Sequence, residues 1–78
     1  MSTAKVGDKV TVNEFYYEFL KISSGTVGTV IGAIRDYNEE LGKITAMYRV
    51  EFEIELVPGE VILHFIKNVP FSQIKKVD

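Results

Sequence analysis

Between Thr45 and Leu56 the chain alternates without a break. Ala46, Tyr48, Val50, Phe52, Ile54 and Leu56 hold one parity; Thr45, Met47, Arg49, Glu51, Glu53 and Glu55 hold the other. Side chains of an extended chain point to opposite faces with period two, whereas a helix gathers positions three and four apart onto one face. The pattern therefore predicts a long strand with one apolar face and one that is mostly charged, and the apolar face needs neighbours to cover it. The next residues supply one. In Val57-Pro58-Gly59-Glu60, proline presets the backbone at the second position of a type II turn and glycine provides the positive φ of the third. Beyond the turn, Val61–Lys67 is apolar on both parities and rich in branched and aromatic residues, which predicts a partner strand packed on both faces and, with the first, a hairpin.

The rest of the chain reads the same way. Val10 and Val12 alternate within Lys9–Val12, after a Gly7-Asp8 turn, as a short first strand. Gly25–Ile34 is a further strand whose glycines at 25, 28 and 32 predict bending, bulging or close approach of neighbouring backbone. Arg35–Lys43 is polar and reads as a loop marked by Asn38 and Gly42. Asn68-Val69-Pro70 breaks the chain, Phe71–Gln73 suits a single helical turn, and Ile74–Val77 is a last short strand. Residues 13–24 are ambiguous: Phe15/Phe19 and Tyr16/Leu20 have helical spacing, yet Phe15, Tyr17 and Phe19 also alternate. A long irregular loop with local pairing agrees better with the strands on either side. The expected fold class is all-β with five strands, residues 1–5 forming a flexible N-terminal tail and 6–78 a single domain.

Several function classes are disfavoured. A chain of 78 residues buries only about 60% of its unfolded surface, which leaves one thin core and little stability to support a deep cleft. Cysteine is absent, so neither disulfides nor thiolate metal sites hold that core. No basic segment followed by an apolar stretch opens the sequence, and no apolar run approaches the length of a membrane-spanning helix; the expectation is a cytoplasmic protein without membrane contact. Nine basic against eleven acidic residues give a net charge of −2, opposite in sign to the footprint of a general nucleic-acid binder. His64 is the sole histidine and would have to recruit carboxylates from elsewhere to hold a metal, so it reads as a packed or half-exposed strand residue. Ser23 and Ser24 beside Gly25 read as turn chemistry, because a hydrolytic triad would have only His64 as its base. Gly28–Gly32 neither follows a strand into a helix nor ends in lysine and a hydroxyl residue, as a phosphate loop would. Glu51, Glu53 and Glu55, about 7 Å apart per step along one strand face, read as a solvated row that discourages edge pairing. No catalytic residue, cofactor or metal ligand is assigned.

The order of elements, with Val6-Gly7-Asp8-Lys9-Val10 and Gly25-Thr26-Val27-Gly28-Thr29-Val30, resembles prokaryotic SH3-like barrels over nearly the whole chain. These include the KOW-type modules of ribosomal and transcription proteins, the variable chain of ferredoxin-thioredoxin reductase and the barrel part of the nitrile hydratase beta subunit. The resemblance implies a small five-stranded SH3-like barrel with a long first loop and a single helical turn before the last strand. Pro70 matches a groove residue of peptide-binding SH3 domains, but Gln73 stands where their groove tyrosine would be and the chain has no Trp, which disfavours polyproline recognition.

The resemblance also implies that the aromatic loop and the loop carrying Tyr37 lie side by side. Tyr16, Tyr17 and Tyr37, edged by Glu18 and Asp36, are then the candidate partner-binding residues, since tyrosine buries a flat body while keeping a hydroxyl for water or a partner. The competing reading is that Phe15, Tyr17 and Phe19 complete the thin core. The expected function is a non-enzymatic protein-interaction module or small accessory subunit, with a protein partner of basic character. The alternative is a KOW-type RNA- or DNA-contacting barrel using Arg35, Lys43, Lys67, Lys75 and Lys76.

Overall fold

A computed structural model describes residues 4–77. The elements in chain order are β1 (Lys9–Val12), β2 (Phe15–Tyr17), β3 (Leu20–Ile22), β4 (Val27–Asn38), β5 (Lys43–Val57), β6 (Val61–Pro70), a 3₁₀ turn (Phe71–Gln73) and β7 (Ile74–Lys76). The protein is all-β. Five strands form one antiparallel sheet in the order β6-β5-β4-β1-β7, and β2 and β3 form a separate hairpin. Among the described residues no ladder joins β6 to β7, so the sheet keeps two edges and is not closed.

β5 is the spine. From Tyr48 to Ile54 its even positions face the core, where Val50 and Phe52 are wholly buried with Val10, Val30, Phe65 and Val69 around them. A straight strand of fifteen residues would run about 50 Å at about 3.3 Å per residue, but the longest extent of the molecule is 38 Å, so the spine is bent. Two irregularities contribute to the bend. Ile31 is an extra residue in β4 between the pairs Val30↔Val50 and Gly32↔Arg49, and Leu56 is an extra residue in β5 between Glu55↔Ile62 and Val57↔Val61. Gly28 meets the core differently: a Cβ there would lie 2.5 Å from Val50 Cγ1 and 2.8 Å from Phe52 Cε1, so only glycine lets β4 sit this close.

The β2–β3 hairpin supplies the second layer. Phe15 packs on Phe52 and Phe65 with ring centroids 5.5 and 6.0 Å away, Tyr17 stacks on Phe65 at 4.1 Å, and Lys67 Nζ caps the Phe15 ring at 4.8 Å. Each such aromatic pair adds about 0.5–1.5 kcal/mol beyond area burial. At the other end of the spine, Phe71 stacks on Tyr48 at 4.1 Å and the Tyr48 hydroxyl accepts a hydrogen bond from Ala4 N.

Several expectations need correction. Ala4 is buried and Lys5 N donates to Asp8 Oδ2, so the expected tail is docked at residues 4 and 5; residues 1–3 lie outside the described region. Arg35–Asn38 continues β4 and Lys43 begins β5, which reduces the expected polar loop to a four-residue turn. There Asn38 Oδ1 accepts from the backbone of Glu40 and Leu41, closing the turn as a backbone carbonyl would. β6 packs on one face only: Phe65 and Val69 are buried, whereas Ile62 and Ile66 on its other face are exposed because, among the described residues, no second layer covers that side. β5 lies between β4 and β6, so its glutamate row does not guard an edge. Residues 13–24 hold local pairing and no helix, and Gly59, at φ 78°, takes the turn conformation its position requires, with Glu60 N donating to Val57 O.

Candidate functional site

The β2–β3 hairpin turns in two residues, Glu18 and Phe19, because Tyr17 pairs with Leu20. Glu18 takes φ 55°, a left-handed conformation that costs a non-glycine residue about 1–2 kcal/mol. The turn lifts the Phe19 ring fully into solvent, at 103% of its reference exposure. Beside it lies a recess of about 360 Å³ lined by Tyr17, Glu18, Phe19, Leu20, Leu56 and Leu63. The Leu56 bulge forms its far wall and leaves that leucine 47% exposed. The hairpin is therefore anchored through Phe15 and Tyr17 and apolar at its tip. Glu18, Glu55 and Glu60 are exposed near this end of the molecule, and Lys21 is engaged with Glu14 at 3.2 Å.

The residues singled out in the sequence divide between the two ends of β5. Tyr17 and Glu18 line the recess, and Tyr16, on the opposite side of β2, is exposed. Tyr37 is also exposed but pairs with Ile44, twelve residues from Leu56 along β5, so the two aromatic groups do not form one surface. Asp36 serves the fold: its carboxylate accepts from the Asn68 amide at 3.0 Å and from Tyr37 N at 2.8 Å, and these bonds, the Asn68 one foremost, hold its pKa below the usual aspartate value. Phe19, expected to complete the core, is the most exposed residue of the site. Its signal was faint because no glycine or asparagine marks the turn.

The basic residues do not converge either. Lys67 covers Phe15, Lys76 lies 3.4 Å from Asp8, and Lys75 pairs across from Thr11 on the sheet's outer face. Arg35 and Lys43 lie near the β4–β5 turn on opposite faces, as their pairings with Ala46 and Asn38 require. Ser23 is spent in a turn, its carbonyl accepting from both the backbone N–H and the hydroxyl of Thr26.

The outer face of the sheet carries a second cluster. His64 pairs with Glu53 across β5 and β6, and its Nε2 lies 3.0 Å from Glu51 Oε2. Ligand atoms of Glu51, Glu53 and His64 all fall within 4.8 Å of one another. The carboxylates that the lone histidine lacked in the sequence are thus brought beside it by strand pairing. The half-exposed strand position expected for His64 is the one it occupies.

Comparison with protein families, characterised proteins and solved structures finds no match to this chain.

Proposed function

We propose that this is a non-enzymatic interaction module of SH3-like design that docks onto a larger protein through the groove between the β2–β3 and β5–β6 hairpins. The observation that carries this reading is Phe19: a fully exposed aromatic ring beside an apolar recess, on a hairpin tip whose own base is packed. Leaving a phenylalanine in water forfeits about 1.5–3 kcal/mol of burial that a partner can recover. Large aromatic anchors seated in apolar pockets dominate protein interfaces. Glu18 and Glu60 suit a partner segment that offers an apolar side chain flanked by basic residues. The strand order β6-β5-β4-β1-β7, with a hairpin inserted between β1 and β4 and a 3₁₀ turn before β7, supports the SH3-like part of the reading.

The test is affinity capture from lysate of the native host with the full chain and two variants, Phe19→Ser and Tyr37→Ser. Both side chains are exposed, so both variants should keep wild-type stability within about 0.5 kcal/mol. Capture of a discrete protein is expected to survive Tyr37→Ser and to be lost in Phe19→Ser. Capture indifferent to Phe19→Ser would overturn the groove assignment, and capture abolished by nuclease and by modest salt would point instead to the dispersed lysines and a nucleic acid.

A further inference from the structure

We propose that Glu51, Glu53 and His64 form a binding site for a divalent transition-metal ion of the zinc class, on the outer face of the sheet and independent of the groove described above. Glu51 and Glu53 are two apart on β5 and so share a face, and the β5–β6 pairing sets His64 opposite Glu53 and within 3.0 Å of Glu51. Bonds of about 2.0–2.2 Å from a tetrahedral ion place its ligand atoms about 3.3–3.6 Å apart. The three groups lie within 4.8 Å of one another, so a small rotation of exposed side chains closes the set with no movement of the sheet. One imidazole with two carboxylates and no thiolate suits borderline ions such as Zn²⁺, Co²⁺ or Ni²⁺, whereas Mg²⁺ and Ca²⁺ seek oxygen alone.

Two further observations favour a cation here. Among the described residues Glu53 makes neither an ion pair nor a side-chain hydrogen bond, although Glu51 and Glu55 flank it on the same face. Beside the two glutamates lies a recess of about 250 Å³ that is also lined by Lys9, Val27, Gly28 and Thr29, with room for water or a partner group to complete the coordination shell. Lys9 is the cation nearest in this recess, and its Nζ is held by Thr29 Oγ1 at 2.6 Å and ion-pairs with neither glutamate.

The Leu56 bulge gives the cluster its geometry. From the turn pair Val57↔Val61, regular pairing would set His64 opposite Ile54 on the core face; the extra residue moves it opposite Glu53. A strand irregularity thus turns a core-side histidine into a ligand on the acidic face.

Zinc titrated into the full chain tests this, with heat and the ¹H–¹³C signals of the His64 ring as readouts. One ion per chain is expected, with the His64 ring signals moving to saturation. His64→Ala and Glu53→Gln should each weaken binding about tenfold or more, while Glu55→Gln, on the same face but outside the set, should change it less than about twofold. Circular dichroism of each variant checks that the sheet is intact. Unmoved His64 signals at zinc excess, equal binding by His64→Ala, or competition by Mg²⁺ as effective as by Co²⁺ would each overturn the assignment. Because none of these residues lines the Phe19 groove, failure here and failure of the groove reading are separate results.

Discussion

The middle of β5 and its C-terminal end carry the same alternation to different effect. Val50 and Phe52 are wholly buried, whereas Leu56, on the same parity, is half exposed. The sequence pattern is identical at both places; what changes is the cover. Over the middle pack Val10 and Val12 of β1 and the aromatic base of the β2–β3 hairpin, and past it the hairpin has turned away and the bulge has displaced the strand. Alternation specifies which face is apolar, but only a second layer decides whether that face becomes core or a surface for a partner.

The largest expected effect breaks this comparison most sharply. Phe52→Ala should cost about 3–5 kcal/mol, enough to unfold much of so small a domain, while Leu56→Ala should cost about 1 kcal/mol or less. Urea denaturation of the two variants measures both, and equal losses would remove the distinction. Next is Gly28→Val, which drives a Cβ into Val50 and Phe52 and should cost about 1–3 kcal/mol through overpacking. Gly32→Ala, at a strand position with nothing within 4 Å of the new methyl, should be neutral or slightly stabilising in the same assay.

The smallest effect concerns the edge of the sheet. Lys5 N donates to Asp8 Oδ2 at 2.8 Å and Lys76 Nζ lies 3.4 Å away; the first of these foremost, they hold the Asp8 carboxyl below its ordinary value of 3.8. A carboxylate with a lowered folded pKa contributes stability that is complete above 3.8 and is lost as the pH falls through the folded value. Asp8→Asn should therefore lower stability slightly in the neutral region, where the carboxylate contributes, and flatten the acid limb, so that the two chains converge at low pH. Acid titration followed by circular dichroism compares the two.

What was legible in the sequence was local. The β5 alternation and the Pro58-Gly59 turn each follow from a few neighbouring residues, and both are present; the glycine-rich strand is bulged at Ile31, while what comes close to Gly28 is the side chains of Val50 and Phe52 rather than backbone. What was hidden depended on register or on polar strands. Arg35–Asn38 gave no apolar signal, yet it continues β4 because its backbone pairs with Lys43–Ala46. The Glu51, Glu53 and His64 cluster depends on one extra residue at Leu56, and no periodicity reveals a slip of that kind. The exposure of Phe19 depends on a two-residue turn at Glu18, where the usual turn residues are missing and alternation pointed the ring inward.

The central claim is that the hairpin end of the molecule, and not the β4–β5 end, meets the partner. It is tested most directly by photo-crosslinking in the native host, with benzoylphenylalanine placed at Phe19 in one sample and at Tyr37 in another. A discrete protein adduct from position 19, and none from position 37, is the predicted result. Adducts from position 37 alone would contradict it.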